Sequence, residues 1–359
     1  MRIAQTRFRN FRNVQNALIE WGPGINLLTG ANGSGKTNVL EALHILTGWG
    51  AFHGSRFADT VRWNEKGATL VAQAEGESSS LIEVAIAARA SLRLDRKVCR
   101  WGDLRNCVRS LTFLPADMAI IEGSPSIRRR FLDKLCALSF PMYAWKLSEY
   151  RKIVQQRRFL LLHGRPVRPT QQTMARLAAW IWECRLKMVV LLITKLTKWP
   201  QLLSQPIGIT LKRGGAGNRL NAMEDFYFSS EKHAEEERAA RRPLVGPHLD
   251  ELEIHCGTRS AASTLSRGQR RRAALALLLA AASAIQEMFH ADPVLLLDEV
   301  TSELDRRGRE ILFETLADTG WQIFATTAES TVPPFDGVTW SLDAGEIRKV
   351  AASQGPMGD

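Results

Sequence analysis

The sequence predicts an α/β fold with a β-rich flank, together with a second, mainly helical lobe. An apolar strand at Ile25–Thr29 precedes a glycine-rich loop and a helix that starts at Asn38. Residues 68–74 and 81–88 alternate weakly between apolar and polar side chains, which is typical of antiparallel strands. From about 126 to 196 the pattern changes to long helical segments rich in Arg, Leu and Trp.

The order of these elements predicts where the domains divide. The first 21 residues read as short β-type stretches before the Gly-Pro-Gly turn at 22–24. Two prolines interrupt the helical segments within 163–170, and β-type and helical elements resume after Pro243. At 359 residues the chain has room for two or three domains of roughly 100 to 200 residues each. We therefore predict a head formed by 1–122 with 201–359, and a helical lobe formed by 123–200.

Composition and cysteine usage indicate an intracellular globular protein. With 45% hydrophobic and 24% charged residues, the chain shows no bias toward disorder. Its start is charged throughout and lacks the apolar stretch of a secretory signal. The longest apolar run, 273–285, is shorter than the roughly 20 residues that span a bilayer, so we interpret it as a core helix. The five cysteines are scattered without a Cys-x-x-Cys pair. We expect reduced thiols, a cytoplasmic location and no membrane partner.

The positive charge is concentrated in the helical lobe. Lys and Arg number 48 against 37 Asp and Glu, a net charge of +11. Residues 125–187 contain 14 Lys and Arg but three acidic residues, so this segment accounts for the whole excess. A solvated helix face is the alternative interpretation, but the acids that would balance such a face are nearly absent. Clustered basic residues bind duplex DNA by releasing counterions. We predict contacts to the backbone of double-stranded DNA, with candidates Arg128, Arg129, Arg130, Arg151, Lys152, Arg157 and Arg158.

Residues 30–37 match the P-loop pattern Gly-x4-Gly-Lys-[Ser/Thr], and they lie between an apolar strand and a helix, as the pattern requires. Glycines let backbone N–H groups turn toward phosphates, Lys36 can reach the β- and γ-phosphates, and the Thr37 hydroxyl can bind Mg²⁺. A plain glycine turn before a helix would not need the full pattern. The predicted ATP-binding residues are Gly30, Ala31, Asn32, Gly33, Ser34, Gly35, Lys36 and Thr37.

A second motif, "DPVLLLDEV" at 292–300, reads as a buried parallel strand that ends in two carboxylates. Asp298 suits Mg²⁺, and Glu299 beside it could orient the attacking water. Two acids after a strand are also compatible with a solvated strand end, but the P-loop favours the nucleotide interpretation. We therefore predict Lys36 and Glu299 as catalytic residues, and Thr37 with Asp298 as metal ligands.

A third motif, "LSRGQRRR" at 265–272, places a Ser-x-Gly-Gln turn at the start of a helix. Unpaired backbone N–H groups and the helix dipole make such a start suitable for an anion, although a simple capped core helix is the alternative. A P-loop, this turn and an Asp-Glu pair, in that order, resemble the ABC-type ATPases. The resemblance implies a head-to-tail homodimer in which Ser266, Gly268 and Gln269 meet the γ-phosphate of the ATP bound by the partner subunit.

Longer stretches resemble the RecF family over nearly the whole chain. They are "FRN" at 11–13, "GANGSGKTNVLEAL", "FLPADMAIIEGSPSIRRRFLD", "VGPHLDEL" and the signature turn. The resemblance implies an ABC-type ATPase head, related to SMC heads, with a helical lobe. It also implies ATP-driven dimerisation, binding to double-stranded DNA, DNA-dependent ATP hydrolysis, and roles in DNA repair, recombination, replication and the SOS response. The implied partners are RecR and RecO, which help to place RecA at gapped DNA.

Some positions depart from the family pattern. Family members usually carry an acid where Ala116 stands and an arginine at Leu249, so contacts through those positions are not carried over. Thr326 and Thr327 lie where many ABC proteins keep a switch histidine. A lone histidine in a Gly-Pro-His turn is usually structural, and we assign His248 no catalytic role. Two rival interpretations are the ATPase subunit of a membrane transporter and a structural DNA-binding protein with a vestigial P-loop.

Overall fold

The structure is a computed structural model that describes residues 1–350 except 216, 218, 220, 303, 330 and 331, and that leaves out the side chains of His53 and Met118. The chain forms two compact units. The first comprises 1–116 and the described residues from 285 onward, and the second comprises 117–284. The second unit is thus larger than the helical lobe predicted at 123–200.

In the first unit, one sheet is antiparallel throughout, which confirms the predicted β-rich flank. Its six strands have the order β2-β1-β4-β5-β6-β7. Their bounds are β1 (Arg2–Phe11), β2 (Val14–Glu20), β4 (Ala68–Glu75), β5 (Ser79–Ile86), β6 (Ala90–Leu94) and β7 (Lys97–Val98). Along β4 the side chains alternate between buried and more exposed positions, as in a strand with one face on the core.

The second sheet of this unit carries the phosphate-binding loop. Its order is β15-β14-β3-β13-β12-β8, and all neighbouring pairs are parallel except β14 with β15. The bounds are β3 (Ile25–Thr29), β8 (Ser110–Phe113), β12 (Val294–Leu297), β13 (Gln322–Thr327), β14 (Gly337–Asp343) and β15 (Glu346–Lys349). Because β3, β13 and β12 are parallel neighbours, the segments that follow them meet at one edge of the sheet.

The described part of the first unit also contains the helices α1 (Lys36–Leu46), α2 (Trp101–Cys107) and α11 (Arg306–Ala317). Helix α1 lies against strands of both sheets, with Val39, Leu40 and Leu43 fully buried. This packing anchors the first turn of α1, and with it the loop that precedes it.

The second unit is mainly helical but includes a small sheet. Its helices are α3 (Ala119–Glu122), α4 (Pro125–Ser139), α5 (Tyr143–Leu162), α6 (Arg168–Leu196), α7 (Ala222–Lys232), α8 (Ala234–Ala240), α9 (Ala261–Thr264) and most of α10 (Arg267–Phe289). The antiparallel strands β9 (Gly208–Lys212), β10 (Glu251–Cys256) and β11 (Arg259–Ser260) have the order β11-β10-β9.

Buried polar contacts explain why this unit extends beyond the predicted helical lobe. Arg185 of α6 lies 2.5 Å from Asp250, just before β10, and 2.7 Å from Asp133 of α4. The Trp182 indole N–H also donates to Asp250, at 2.8 Å. Segments after residue 200 are therefore held to the long helices, whereas the sequence pattern alone suggested a return to the head.

By length and composition, α10 is the one helix among the described residues that could cross a membrane. However, 72% of its most apolar 18-residue window is buried inside the protein. The residues of 273–285 are nearly all inaccessible to solvent, so packing accounts for their apolar character.

Candidate nucleotide-binding site

The phosphate-binding loop lies between β3 and α1, and glycine is required at several of its positions. Gly30, Gly33 and Gly35 have φ angles of +149°, +82° and +112°, which L-residues with a side chain rarely adopt. A Cβ atom on Gly30 would collide with the carbonyl oxygen of Leu342, and one on Gly35 with the side-chain amide of Asn13. The loop therefore has a backbone conformation that favours glycine, and neighbouring atoms of Leu342 and Asn13 pack closely against it.

The start of α1 fits an anionic ligand. No side chain caps this terminus, because Gly35 occupies the N-cap position. The Ser34 hydroxyl is buried, and within the described part of the chain it has no hydrogen-bond partner. An orphaned hydroxyl beside the open N–H groups of a helix start is what a phosphate-binding cradle offers before its ligand binds.

The Lys36 side chain bends back over the loop. Its Nζ atom donates to the carbonyl oxygens of Gly30 at 2.7 Å and Ala31 at 2.9 Å. Burial lowers the pKa of Lys36, while the negative charges of Glu299 and Asp298 act in the opposite direction. Neutral carbonyls are weaker partners for an ammonium than phosphate oxygens, so the lysine is placed to exchange them for a nucleotide.

Thr37 and Asp298 come together from opposite ends of the sequence. The Thr37 hydroxyl lies 3.1 Å from each carboxylate oxygen of Asp298. Among the described residues there is no cluster of three or more His, Cys, Asp or Glu that could hold a metal alone. One carboxylate with one hydroxyl suits Mg²⁺, which usually completes its coordination with phosphate oxygens and water.

The end of β13 holds the residues that follow β12. The Thr326 hydroxyl donates to Asp298 Oδ1 at 2.7 Å and accepts the Glu299 N–H at 2.8 Å. Glu299 has a φ angle of +48°, uncommon for a residue with a side chain. Next to this pair, the hydroxyls of Thr301 and Thr327 lie 2.6 Å apart. The sequence analysis noted Thr326 and Thr327 for their position only and missed these contacts.

Asn13 is a second residue that reasoning from the sequence missed. Its amide donates to the carbonyl oxygen of Ser34 at 2.9 Å and accepts from the Asn38 amide at 2.8 Å. Arg62 in turn donates to the Asn13 carbonyl at 3.1 Å. Asn13 thus holds the loop to the start of α1 through hydrogen bonds. In the sequence, the only signal for this residue was its place in the "FRN" stretch.

In the signature turn, Ser266 and Gln269 cap α10 reciprocally. The Ser266 N–H donates to Gln269 Oε1 at 2.9 Å, and the Gln269 N–H lies 3.4 Å from Ser266 Oγ. This is a capping box, the alternative considered for the motif. Ser266 is nevertheless exposed and Gly268 is half-buried. The turn lies in the second unit, and its action on a partner's ATP stays a prediction.

The structure corrects part of the predicted DNA surface. Arg157 is 2% exposed, and its guanidinium lies 2.6 Å from the carboxylate of Glu237. An interior ion pair holds this arginine, so its prediction as a DNA contact is wrong. Arg128 is also largely buried and lies 2.6 Å from Glu251, and Arg129 donates to the Asp250 carbonyl.

Four of the basic candidates remain on the surface. Arg130 and Arg158 are exposed. Arg151 lies 3.4 Å from Asp133 and Lys152 lies 2.8 Å from Glu149, while the two basic side chains stay 64% and 67% exposed. Because exposed ion pairs of this kind are weak, these side chains can exchange their partners for phosphates.

His248 has the structural setting expected of it. Its Nδ1 atom lies 2.7 Å from the Tyr150 hydroxyl. Burial lowers the pKa of His248 to about 4, with Arg129 and Arg185 acting in the same direction. The imidazole is therefore neutral at physiological pH.

Comparisons with known proteins show the family of this chain. Residues 2–333 match the family model described as the RecF/RecN/SMC N terminal domain. The DNA replication and repair protein RecF of Heliobacterium modesticaldum is 31% identical over 346 residues, covering 91% of this chain and 92% of the relative. The protein of the same name from Streptomyces avermitilis is 31% identical over 376 residues, covering 98% and 100%.

Solved structures show the same fold. The recombination mediator protein RecF-ATPrS of the RecFOR pathway superposes with a TM-score of 0.86 at 25% identity, covering 97% of this chain and 98% of that chain. An SMC head bound to the C-winged helix domain of ScpA gives a TM-score of 0.58 at 16% identity, covering 98% of both chains, and supports the fold alone.

Proposed function

Because this chain belongs to the RecF family, we propose that it is an ATP-dependent clamp on double-stranded DNA that acts in recombinational repair in the cytoplasm. The observation that carries the proposal is the meeting of Thr37 with Asp298 beside an uncapped helix start. The family's proteins are named for DNA replication and repair, and the superposed relative is named as RecF-ATPrS.

In this proposal the nucleotide is held mainly by backbone groups. The N–H groups of the loop and of the first turn of α1 bind the phosphates. Lys36 exchanges its present carbonyl partners for phosphate oxygens. Thr37 and Asp298 would hold Mg²⁺, which would neutralise charge on the phosphoryl group. Glu299 orients the attacking water and accepts its proton.

Dimerisation makes the nucleotide a switch. ATP bound by one subunit meets Ser266, Gly268 and Gln269 of the other, so its γ-phosphate joins the two heads. Hydrolysis removes that link and returns the protein to monomers. DNA binding, through surface residues such as Arg130, Arg151, Lys152 and Arg158, stimulates hydrolysis. In the pathway the clamp cooperates with RecR and RecO to place RecA at gaps.

Analytical sedimentation of the full chain tests this function. We expect a monomer alone and with ADP, a dimer with Mg²⁺ and ATP, and co-sedimentation of the dimer with duplex DNA. A mass that stays constant under all nucleotides would contradict the switch. A dimer without DNA affinity would favour the transporter subunit, and DNA affinity without any ATP binding would favour a structural protein.

A further inference from the structure

A single buried hydroxyl connects the predicted metal ligand with the predicted catalytic carboxylate. Thr326 is the fifth residue of β13, the strand that lies between β3 and β12, and it is fully inaccessible to solvent. We propose that Thr326 is a positioning residue for ATP hydrolysis, which orients the Asp298 carboxylate and the Glu299 backbone through its hydroxyl. The inference rests on the proposed ATPase function.

The direction of the hydrogen bonds follows from elementary chemistry. A hydroxyl has one hydrogen, and an ionised carboxylate can only accept. Thr326 therefore donates to Asp298 Oδ1 at 2.7 Å, and its lone pairs accept the Glu299 N–H at 2.8 Å. The reverse arrangement would need a hydrogen on the Asp298 carboxylate, which the ionised group does not carry. The hydroxyl sets both residues at once.

Glu299 needs such support because of its backbone conformation. Its φ angle of +48° lies in the left-handed region, which residues with side chains occupy only when their surroundings hold them. Thr326 supplies two contacts to this segment, since its carbonyl oxygen also accepts the Val300 N–H at 3.1 Å. These contacts help to hold the backbone from which the Glu299 side chain projects.

Asp298 is held more closely by Thr326 than by Thr37. The contact from Thr326 is 2.7 Å and reaches one oxygen, whereas Thr37 lies at 3.1 Å from both oxygens. The shorter contact to the carboxylate therefore comes from β13. Thr37 remains as the second hydroxyl at the predicted metal site.

The test compares Thr326→Val, which keeps the shape but removes the hydroxyl, with Thr326→Ser, which keeps the hydroxyl but removes a methyl. Two quantities are measured on the full chain: single-turnover ATP hydrolysis, and the ratio of ATP affinities with Mg²⁺ and with EDTA. We expect Thr326→Val to slow hydrolysis about 100-fold and to remove most of the Mg²⁺-dependent increase in affinity. Its affinity in EDTA and all properties of Thr326→Ser should stay within about threefold of wild type, because the phosphate contacts remain.

Thr112→Val is the matched control. Thr112 is a buried threonine of β8 in the same sheet, and its hydroxyl bonds His44 at 2.7 Å instead of Asp298. The Thr112→Val variant should have a lower melting temperature, but its ATP affinity should depend on Mg²⁺ as in the wild type. If Thr326→Val does not fold, Thr326→Ala replaces it with the same two measurements.

The outcomes separate this inference from the function on which it rests. If the wild-type protein does not hydrolyse ATP, the proposed function itself is overturned. If the wild type hydrolyses ATP, unchanged hydrolysis and unchanged Mg²⁺ dependence in Thr326→Val overturn the role of Thr326. Equal decreases in Thr326→Ser and Thr326→Val would also overturn it, because they would assign the effect to packing and not to the hydroxyl.

Discussion

The guanidinium of Arg157 on α5 lies 2.6 Å from the carboxylate of Glu237 on α8, and both side chains are almost inaccessible to solvent. Arg157 Nε makes a second contact, of 3.1 Å, to the same carboxylate oxygen. Glu237 also accepts the Leu244 N–H at 2.9 Å through its other oxygen. The pair thus ties α5 to segments some 80 residues further along the chain.

Substitutions of the adjacent residues Arg157 and Arg158 should have different effects on stability, because the first is buried in this pair and the second is exposed. Arg157→Ala should lower the free energy of unfolding by about 3–5 kcal/mol, because Glu237 would remain buried without its partner. Arg158→Ala, at an exposed position, should change it by less than about 0.5 kcal/mol. Chemical denaturation of the two variants checks the difference, and equal decreases would contradict the assignment.

The same exposed arginine has a measurable role if it binds DNA. Arg158→Ala should reduce the slope of log affinity against log salt by about 0.9, because one phosphate would no longer be neutralised by the protein. Titration of labelled duplex DNA at several salt concentrations measures the slope. An unchanged slope and affinity would place the DNA on another part of the surface.

Glu299→Gln should separate ATP binding from hydrolysis. Thr37 and Asp298 remain, so affinity for ATP with Mg²⁺ should stay within about threefold of wild type. The amide cannot accept the proton of the attacking water, so hydrolysis should fall by about 100-fold or more and the ATP-bound dimer should persist. Phosphate release and sedimentation measure the two effects. Hydrolysis at the wild-type rate would show that Glu299 has been misassigned.

Mixed dimers test whether Ser266 acts on the ATP of its own subunit or on that of its partner. Ser266→Arg places bulk at the start of α10, and Lys36→Ala removes the ammonium of the P-loop, so each variant alone should be inactive. In a heterodimer, one site combines intact Lys36 with intact Ser266 if the turn acts across the interface. Up to about half of the wild-type activity per heterodimer should then return.

A cis action predicts a different result. Every site in the mixture would carry a lesion, and activity would stay absent even when heterodimers are shown to form. A tethered dimer with one damaged site is the control for coupling between sites. If that dimer is also inactive, both sites must act together; if it is active, failed rescue assigns Ser266 to its own subunit.

The buried imidazole of His248 should make stability depend on pH. Its pKa is lowered to about 4, so between about pH 6.5 and 4 the unfolded chain binds a proton that the native state does not. As pH falls through this window, this group should decrease the free energy of unfolding by up to about 1.4 kcal/mol per pH unit. Above about pH 7.5 it should contribute no slope.

His248→Gln removes the titrating group, and Tyr150→Phe removes its hydrogen-bond partner while keeping the imidazole. The stability difference between wild type and His248→Gln should shrink as pH falls, as measured by denaturation at a series of pH values. Tyr150→Phe should retain a clear pH dependence. A difference that is the same at pH 4.5 and pH 7 would show that His248 does not titrate in this window.

The motifs by themselves determined the chemistry of the candidate site. The strand at Ile25–Thr29, the glycine loop and the helix after it are contiguous, so spacing and composition were enough to predict their conformation. Asp298 and Glu299 follow a short apolar run that reads as a buried strand. The concentration of basic residues in 125–187 was likewise visible without coordinates.

Only the tertiary structure decided which side chains meet. Thr37 contacts Asp298 across 261 residues, and Thr326 reaches Asp298 because β13 lies between β3 and β12. The interior placement of Arg157 depends on Glu237, and the extent of the second unit depends on the contact of Arg185 with Asp250. Periodicity reports the local conformation of the backbone, whereas burial and hydrogen-bond partners are set by segments distant in sequence that pack together.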